Sequence, residues 1–136
     1  MLKHSAVVAV FDSAGEVLVL RRSGTDPWKP YHWNFPGGGV DRGESIHQGA
    51  HREVLEEAGI NLPPKSLFYL FSFQPKHDHE VHVFAAVLSN RPEVGPGDGE
   101  HDKYTWARLD QLPRPGIPYF HEVTRSVALR LLDTTA

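Results

Sequence analysis

Residues 45–59, Ser-Ile-His-Gln-Gly-Ala-His-Arg-Glu-Val-Leu-Glu-Glu-Ala-Gly, prescribe a helix with both ends marked and an acidic patch on its side. Ser45 is an N-cap residue type, and Gln48 three positions on completes a capping box. Gly59 supplies the left-handed residue that ends such a helix. Ile46, Ala50, Val54 and Ala58 recur four apart and make a core stripe, with Leu55 flanking it. Glu53, Glu56 and Glu57 stand at i, i+3 and i+4, so their carboxylates crowd one patch. Like charges at that spacing repel by a few tenths of a kcal/mol per pair, and a cation between them reverses the sign. All-oxygen ligation suits Mg²⁺, with Mn²⁺ as a substitute. Gly49 costs the helix roughly 1 kcal/mol against alanine. It is expected to make room beside the carboxylates for a metal or a phosphate. Arg52 is the cation of this acidic turn, placed to orient a glutamate, to touch a phosphate, or to form a plain intrahelical ion pair.

Immediately upstream, Trp33-Asn34-Phe35-Pro36-Gly37-Gly38-Gly39-Val40 reads as a short aromatic strand running into three glycines. Glycine lets backbone approach a ligand closely, which makes Gly38 and Gly39 substrate-binding candidates and Gly38 a backbone neighbour of the metal. Glycine and helix follow one pattern: Gly38, five residues, Glu44, seven residues, then Arg52-Glu53-Val54-Leu55-Glu56-Glu57-Ala58-Gly59-Ile60. At every fixed position this resembles the signature of the Nudix hydrolases, and it occupies 23 of the 136 residues.

The resemblance implies an α/β fold of mixed α+β type, an α/β/α sandwich around a mixed β-sheet. It also implies hydrolysis, with Mg²⁺, of the pyrophosphate linkage of a nucleoside diphosphate derivative: a nucleoside triphosphate, a nucleotide sugar or a dinucleoside polyphosphate. Glu53 and Glu57 are then catalytic, Glu53, Glu56 and Glu57 bind metal, and Arg52 assists. The Pro-Gly-Gly segment would enter the catalytic loop. Glu100-His101-Asp102-Lys103-Tyr104-Thr105-Trp106 resembles a segment of several Nudix subfamilies in which a Glu or His supplies the general base or a further metal ligand. Glu100 and His101 are the candidates, and a histidine titrating near neutrality suits proton abstraction from water. Glycines at 95, 97 and 99 would make the preceding loop mobile enough to close over the site. Tyr104 and Trp106 alternate in a short strand and read as packing.

The remaining sequence bounds these readings. A chain of 136 residues, 40% hydrophobic and 23% charged, suits one domain spanning 1–136 with a real core. A net charge of −3 offers no electrostatic footprint for duplex nucleic acid, so the expected partner is a small nucleotide. Cysteine is absent, which removes disulfide and thiol chemistry. No 18-residue apolar run exists, so a membrane-spanning helix is not expected and a cytoplasmic location follows by default. Monomer and homodimer are equally compatible. A non-catalytic nucleotide sensor on the same fold is the alternative function, disfavoured because a pure binder has no need of the clustered glutamates. A calcium module is disfavoured by the lack of alternating Asp/Asn ligands in a loop.

Residues 5–11 and 16–22 read as a hairpin around Asp12–Gly15. Residues 67–74 and 80–88 form a second hairpin around 75–79, residues 104–107 a short strand, and about 120–133 a final helix. Trp28 and Tyr31, in the loop at 23–32, are candidates to stack a nucleobase, and Lys29, Arg21 and Arg22 could meet phosphates. His77-Asp78-His79 with His82 admits a zinc site or a polar hairpin tip, and the tip is favoured because His77 and His79 sit in a turn. His47 and His51 read as exposed helix residues.

Overall fold

The computed structural model describes residues 1–95 and 99–135. Its strands are β1 (Lys3–Phe11), β2 (Val17–Arg22), β3 (Trp33–Asn34), β4 (Gly37–Gly39), β5 (Leu67–Lys76), β6 (His79–Val87) and β7 (His101–Ala107). Its helices are α1 (Ile46–Ala58) and α2 (Phe120–Thr135). The strands form one mixed sheet along the path β3-β2-β1-β6-β5, with β7 pairing β2 and β4 pairing β1. Parallel pairing of β1 with β6, from Lys3↔His79 to Phe11↔Val87, is its spine.

Alternation along the central strands divides the core in two, because side chains two apart share a face. Ala6, Val8, Val10, Leu18, Leu20, Phe84 and Ala86 face Ala50, Val54 and Ala58 of α1. Ala9, Phe11, Val17, Val19, Val81, Val83 and Ala85 face Phe120 and Val127 of α2. Both faces of the sheet are covered, giving the α/β/α sandwich expected from the family pattern. Among the described residues no helix is long and apolar enough to cross a membrane.

The first hairpin opens almost at once. β1 and β2 are registered together only at Phe11↔Val17, and then they diverge. Residues 33–39 fill the fork: Asn34 and Trp33 pair with Leu20 and Arg21 of β2, and Gly37–Gly39 pair with Val7–Ser5 of β1. A Cβ on Gly37 would overlap the Ala6 carbonyl and come 2.8 Å from the Val7 Cα, so only glycine passes there.

Helix α1 starts and stops where its sequence says. Ser45 Oγ accepts the Gln48 amide at 3.0 Å, and Gln48 Oε1 accepts the Ser45 amide at 2.8 Å. Gly59, at φ 70°, donates its amide to Leu55. Leu55 does not flank the core as expected; it is 44% exposed, because the buried stripe is completed by Gly49 and Glu57 instead. The second hairpin turns more tightly than the sequence suggests, since β5 continues through Lys76. The strand expected at 104–107 begins earlier, at His101.

Asp12 is the buried carboxylate that closes the first hairpin. It accepts the amides of Ala14 and Glu16, each at 2.9 Å, and Arg91 Nη2 at 2.7 Å, while the Arg91 guanidinium also lies over the Trp106 ring. Burial alone would raise the Asp12 pKa, but Arg91 and the two amides outweigh it and hold the carboxyl below its ordinary value. Its contribution to stability is therefore complete above the ordinary carboxylate pKa and fades as pH falls through the depressed value. Asp12→Ala strands two amides and is expected to cost about 3 kcal/mol in urea unfolding at pH 7. The deficit should shrink when unfolding is repeated in acid; a constant deficit across pH would mean that packing, not charge, carries the effect.

Candidate active site

Helix α1 lies over β4, and Glu53, Glu57 and Arg52 make contacts between them. Glu57 is buried, and its Oε1 accepts the Gly37 amide at 2.7 Å. Glu53, with a side chain only 13% exposed, packs against Gly38, where a Cβ would lie 2.7 Å from its carboxyl carbon. Gly38 is thus glycine because Glu53 takes the space. Gly39 has open space around its Cα and contributes its carbonyl, which accepts Arg52 Nη2 at 2.8 Å. Glu56 is the outermost of the three, its side chain half exposed.

Arg52 is fully committed. Nε and Nη2 grip the Glu44 carboxylate at 2.8 and 3.0 Å. Nη1 reaches Glu53 at 2.9 Å and Glu56 at 3.2 Å, and Nη2 also holds Gly39. Five N–H groups serve five acceptors, so the orienting role foreseen for Arg52 is the one the geometry carries. A phosphate contact would require one of these bonds to break. Glu44 in turn is held below its ordinary pKa, chiefly by Arg52 and then by the Asp41 amide. Gly49 does not stand among the metal-binding carboxylates as expected. A Cβ there would press on Val40 at 2.9 Å and Glu44 at 3.1 Å, so it makes room for the clamp beneath Arg52.

Glu53 carries the electrostatic signature of the site. Burial pushes its pKa up, Arg52 opposes this, and the charges of Glu56 and Glu100 raise it further. The set is all oxygen, partly desolvated and short of positive charge, which fits a hard divalent cation better than a softer one. Glu53, Glu56 and Glu57 are the side chains that could hold it, beside the Gly38 backbone.

Strand β7 brings Glu100 and His101 to the same place with different roles. A bulge opposite Arg21 and Arg22 sets the pairs Arg21↔Lys103 and Arg22↔His101, so Asp102 turns outward. His101 is buried, with Nδ1 3.9 Å from Glu57 Oε2, under a cavity of about 300 Å³ lined by Leu20, Glu57, Val94 and Tyr104. Glu100 is exposed and close enough to Glu53 to act on its ionisation. Of the loop glycines, 97 lies outside the described residues. Tyr104, expected in the core, is 49% exposed, whereas Trp106 packs on the α1 side of the sheet.

On the other side of Gly37 and Gly38 opens an apolar pocket of about 270 Å³ between sheet and α2, lined in part by Phe35, Phe73, Val83, Phe120 and Trp28. One group in it went unrecognised in the sequence. Asn34 Oδ1 is buried there with no hydrogen-bond partner among the described residues. Asparagine is depleted in strands, and its place inside an aromatic one was the available signal. Trp28 does border this pocket, 49% exposed, with the Arg22 guanidinium over its ring. Tyr31 does not line it; that ring covers Gly24 and stacks with Arg21. Nor do Arg21 and Arg22 await phosphates, since Arg21 pairs with Asp102 at 2.8 Å and Arg22 with Asp26.

Two histidines, His51 and His82, are more enclosed than expected. His51 is half-buried and bonds the Leu62 carbonyl at 2.7 Å, while His47 stays exposed with its ring edge against Phe84. His82 associates with His4 and Glu80, not with His77 and His79. Burial holds its imidazole below the ordinary pKa.

A NUDIX domain family model matches residues 1–127. The RNA pyrophosphohydrolase of Caulobacter vibrioides is 29% identical over 144 aligned positions, which cover 88% of this chain and 80% of that one. The putative 8-oxo-dGTP diphosphatase of Bacillus subtilis is 29% identical over 118 positions, covering 87% and 74%. Among solved structures, an Ap4A hydrolase binary complex from C. elegans superposes with a TM-score of 0.75 at 26% identity, covering 95% and 98%. The carboxylate helix, the glycine strand beneath it and the sheet that holds both fall inside the matched region, and on that combined ground the chain belongs to the NUDIX domain family.

Proposed function

We propose that this chain hydrolyses the pyrophosphate linkage of a small nucleoside diphosphate derivative, with Mg²⁺ as the resident cation. The observation that carries the reading is the convergence of Glu53 and Glu57 on Gly37 and Gly38, at the edge of an apolar pocket with an unsatisfied Asn34. The relatives' names support it, since each denotes a hydrolase of a phosphoanhydride in a nucleotide or an RNA end. A sensor without activity finds no support there. Asn34, Phe35 and Trp28 would receive the base, and the backbone at Gly38 would lie along the diphosphate.

In the reaction a water oxygen attacks one phosphorus, the bridging P–O bond breaks, and the departing phosphate takes the electron pair. The water proton passes to a carboxylate, for which Glu100 is the better candidate because it faces solvent beside Glu53 while His101 is buried behind Glu57. Arg52 and His101 act as positioning residues. The first holds Glu53 and Glu56 through one nitrogen, and the second backs Glu57. A divalent cation on these carboxylates would offset charge on the attacking and leaving oxygens and make the attacking water more acidic.

The carboxylates give the first test. Because Glu53 is raised above its ordinary value of 4.5, the metal-free protein should lose stability as pH rises from that value through the raised one. Mg²⁺ should restore it. Glu53→Gln removes the buried charge, so the metal-free variant should melt at or above the wild-type temperature at pH 7. Turnover in both Glu53→Gln and Glu57→Gln should fall about a thousand-fold. Near-native turnover in both at limiting Mg²⁺ would remove them from the site.

The base is tested separately. Glu100→Gln should lower kcat by 10² or more with KM little changed, and should abolish the acid limb of the pH–rate profile. His101→Ala should keep that limb while weakening Mg²⁺ activation through Glu57. If the limb survives Glu100→Gln and disappears in His101→Ala, the roles are reversed.

Substrate size is the third test. Several relatives, the Caulobacter vibrioides protein among them, are named for action on RNA, yet a polyanionic strand needs a basic track leading from the site. Here the flanking arginines, Arg21, Arg22 and Arg52, are all held by carboxylates, and the chain has 14 Lys+Arg against 17 Asp+Glu. Nucleoside triphosphates, nucleotide sugars and dinucleoside polyphosphates should show higher kcat/KM than any 5′-triphosphorylated oligonucleotide, with weak salt dependence. Faster hydrolysis of the oligonucleotide than of every small substrate in the same panel would overturn this.

A further inference from the structure

The parallel pairing of β1 with β6 assembles a second group of ligand-type side chains, independent of the α1 glutamates. The register sets His4 opposite Glu80, and His82 lies two residues along β6 on the same face. Among the described residues, His4, Glu80 and His82 form a group whose donor atoms all lie within 4.8 Å of one another. His4 Nδ1 stands 3.0 Å from His82 Nε2, and Glu80 Oε1 stands 3.3 Å from the same nitrogen. Tetrahedral coordination with bonds of about 2.0–2.1 Å places neighbouring donor atoms about 3.3 Å apart. Both separations are close to that edge length.

The surroundings match a ligating histidine as well. His82 is 7% exposed, and its other ring nitrogen, Nδ1, is 2.9 Å from the Tyr69 hydroxyl. A histidine that ligates through one nitrogen is oriented by a hydrogen bond from the other. With Nδ1–H donating to Tyr69, the Nε2 lone pair points at His4 and Glu80. The rings of His4 and His82 lie with centroids 5.2 Å apart and planes inclined by 27°, with the two nitrogens facing each other.

We propose that His4, Glu80 and His82 form a second cation site, selective for Zn²⁺-like transition ions, with water as the fourth ligand. Two imidazoles and one carboxylate make a borderline donor set, whereas the α1 site is all oxygen and hard, so the two sites sort cations by chemistry. The site ties the start of β1 to the start of β6. It also bears on β4, because the His4 carbonyl accepts the Val40 amide at 2.9 Å, next to Gly38 and Gly39. In the competing arrangement one of the facing nitrogens keeps its proton, and a hydrogen bond between His4 and His82 takes the place of the ion.

Co²⁺ titration of the metal-free protein in excess Mg²⁺ decides between them. The expected result is one equivalent of Co²⁺ with the visible d–d absorption of four-coordinate cobalt, displaced by Zn²⁺, and a Zn²⁺-dependent rise in Tm. His4→Ala and Glu80→Gln, at partly exposed positions that should leave folding intact, should each weaken Co²⁺ binding ten-fold or more. The double variant Glu53→Gln/Glu57→Gln should bind Co²⁺ as wild type, and so should His77→Asn. No saturable absorption in the wild type, or an absorption unaltered in both His4→Ala and Glu80→Gln, would overturn the proposal. Loss of the signal in His77→Asn would overturn it equally, by moving the ion to the hairpin tip.

Discussion

The hydrogen bond from the Gly37 amide to Glu57 is the contact on which both fold and site depend. It joins the middle of the sheet to the last turn of α1 across 20 residues of sequence, at a point where a side chain on β4 would collide with β1. Gly37 can pass β1 only as glycine, and its amide, turned to α1, needs an acceptor. Glu57 supplies one. A carboxylate buried for that reason is also desolvated and fixed, which is what a cation-binding group requires. On the proposed reading, structural need and chemical use coincide in one residue.

Much of α1 was legible because its determinants are local. The cap at Ser45, the stop at Gly59 and the buried stripe at Ala50, Val54 and Ala58 all follow from spacings within the segment. The β5–β6 hairpin and the start of α2 were readable for the same reason. What escaped depends on contacts distant in sequence. Gly49 looked like room for a ligand, but it answers to Val40 and Glu44, and nothing within the helix reveals that. Arg21, Arg22 and Tyr31 looked available for substrate until the β7 bulge delivered Asp102 and the 23–32 loop folded back. His101 read as a loop base, yet strand pairing with β2 turns it inward. Asn34 was passed over because its significance lies in having no partner, and that can be seen only once the chain is folded.

Position around α1 sets how deeply each of the three glutamates is buried. Glu57 is nearly enclosed, Glu53 is mostly so, and Glu56 is half exposed. Arg52 bonds Glu53 and Glu56, while Glu57 accepts the Gly37 amide and lies beside His101. The outer two carboxylates are thus held by a permanent cation. Since a guanidinium lowers the demand for further positive charge, the outer pair retains less affinity for a cation than three bare glutamates would.

The same economy bears on substrate recognition. Each arginine near the site already satisfies carboxylates of its own: Arg21 serves Asp102, Arg22 serves Asp26, and Arg52 serves Glu44, Glu53 and Glu56. On the proposed reading, phosphate oxygens arriving there would meet backbone at Gly38 and the cation on the glutamates, in place of a field of free basic side chains. Phosphate affinity then depends on the cation, while discrimination between substrates falls to the uncharged side of the cleft. There Asn34 offers a buried, unsatisfied carboxamide oxygen among aromatic and aliphatic walls. A substrate group that donates a hydrogen bond to that oxygen removes the cost of a buried lone acceptor, and one that cannot donate leaves it in place, a difference of about 1–3 kcal/mol. Selectivity in this chain is therefore expected to reside at the edge of the base, where one hydrogen bond decides, and only weakly in the number of phosphates.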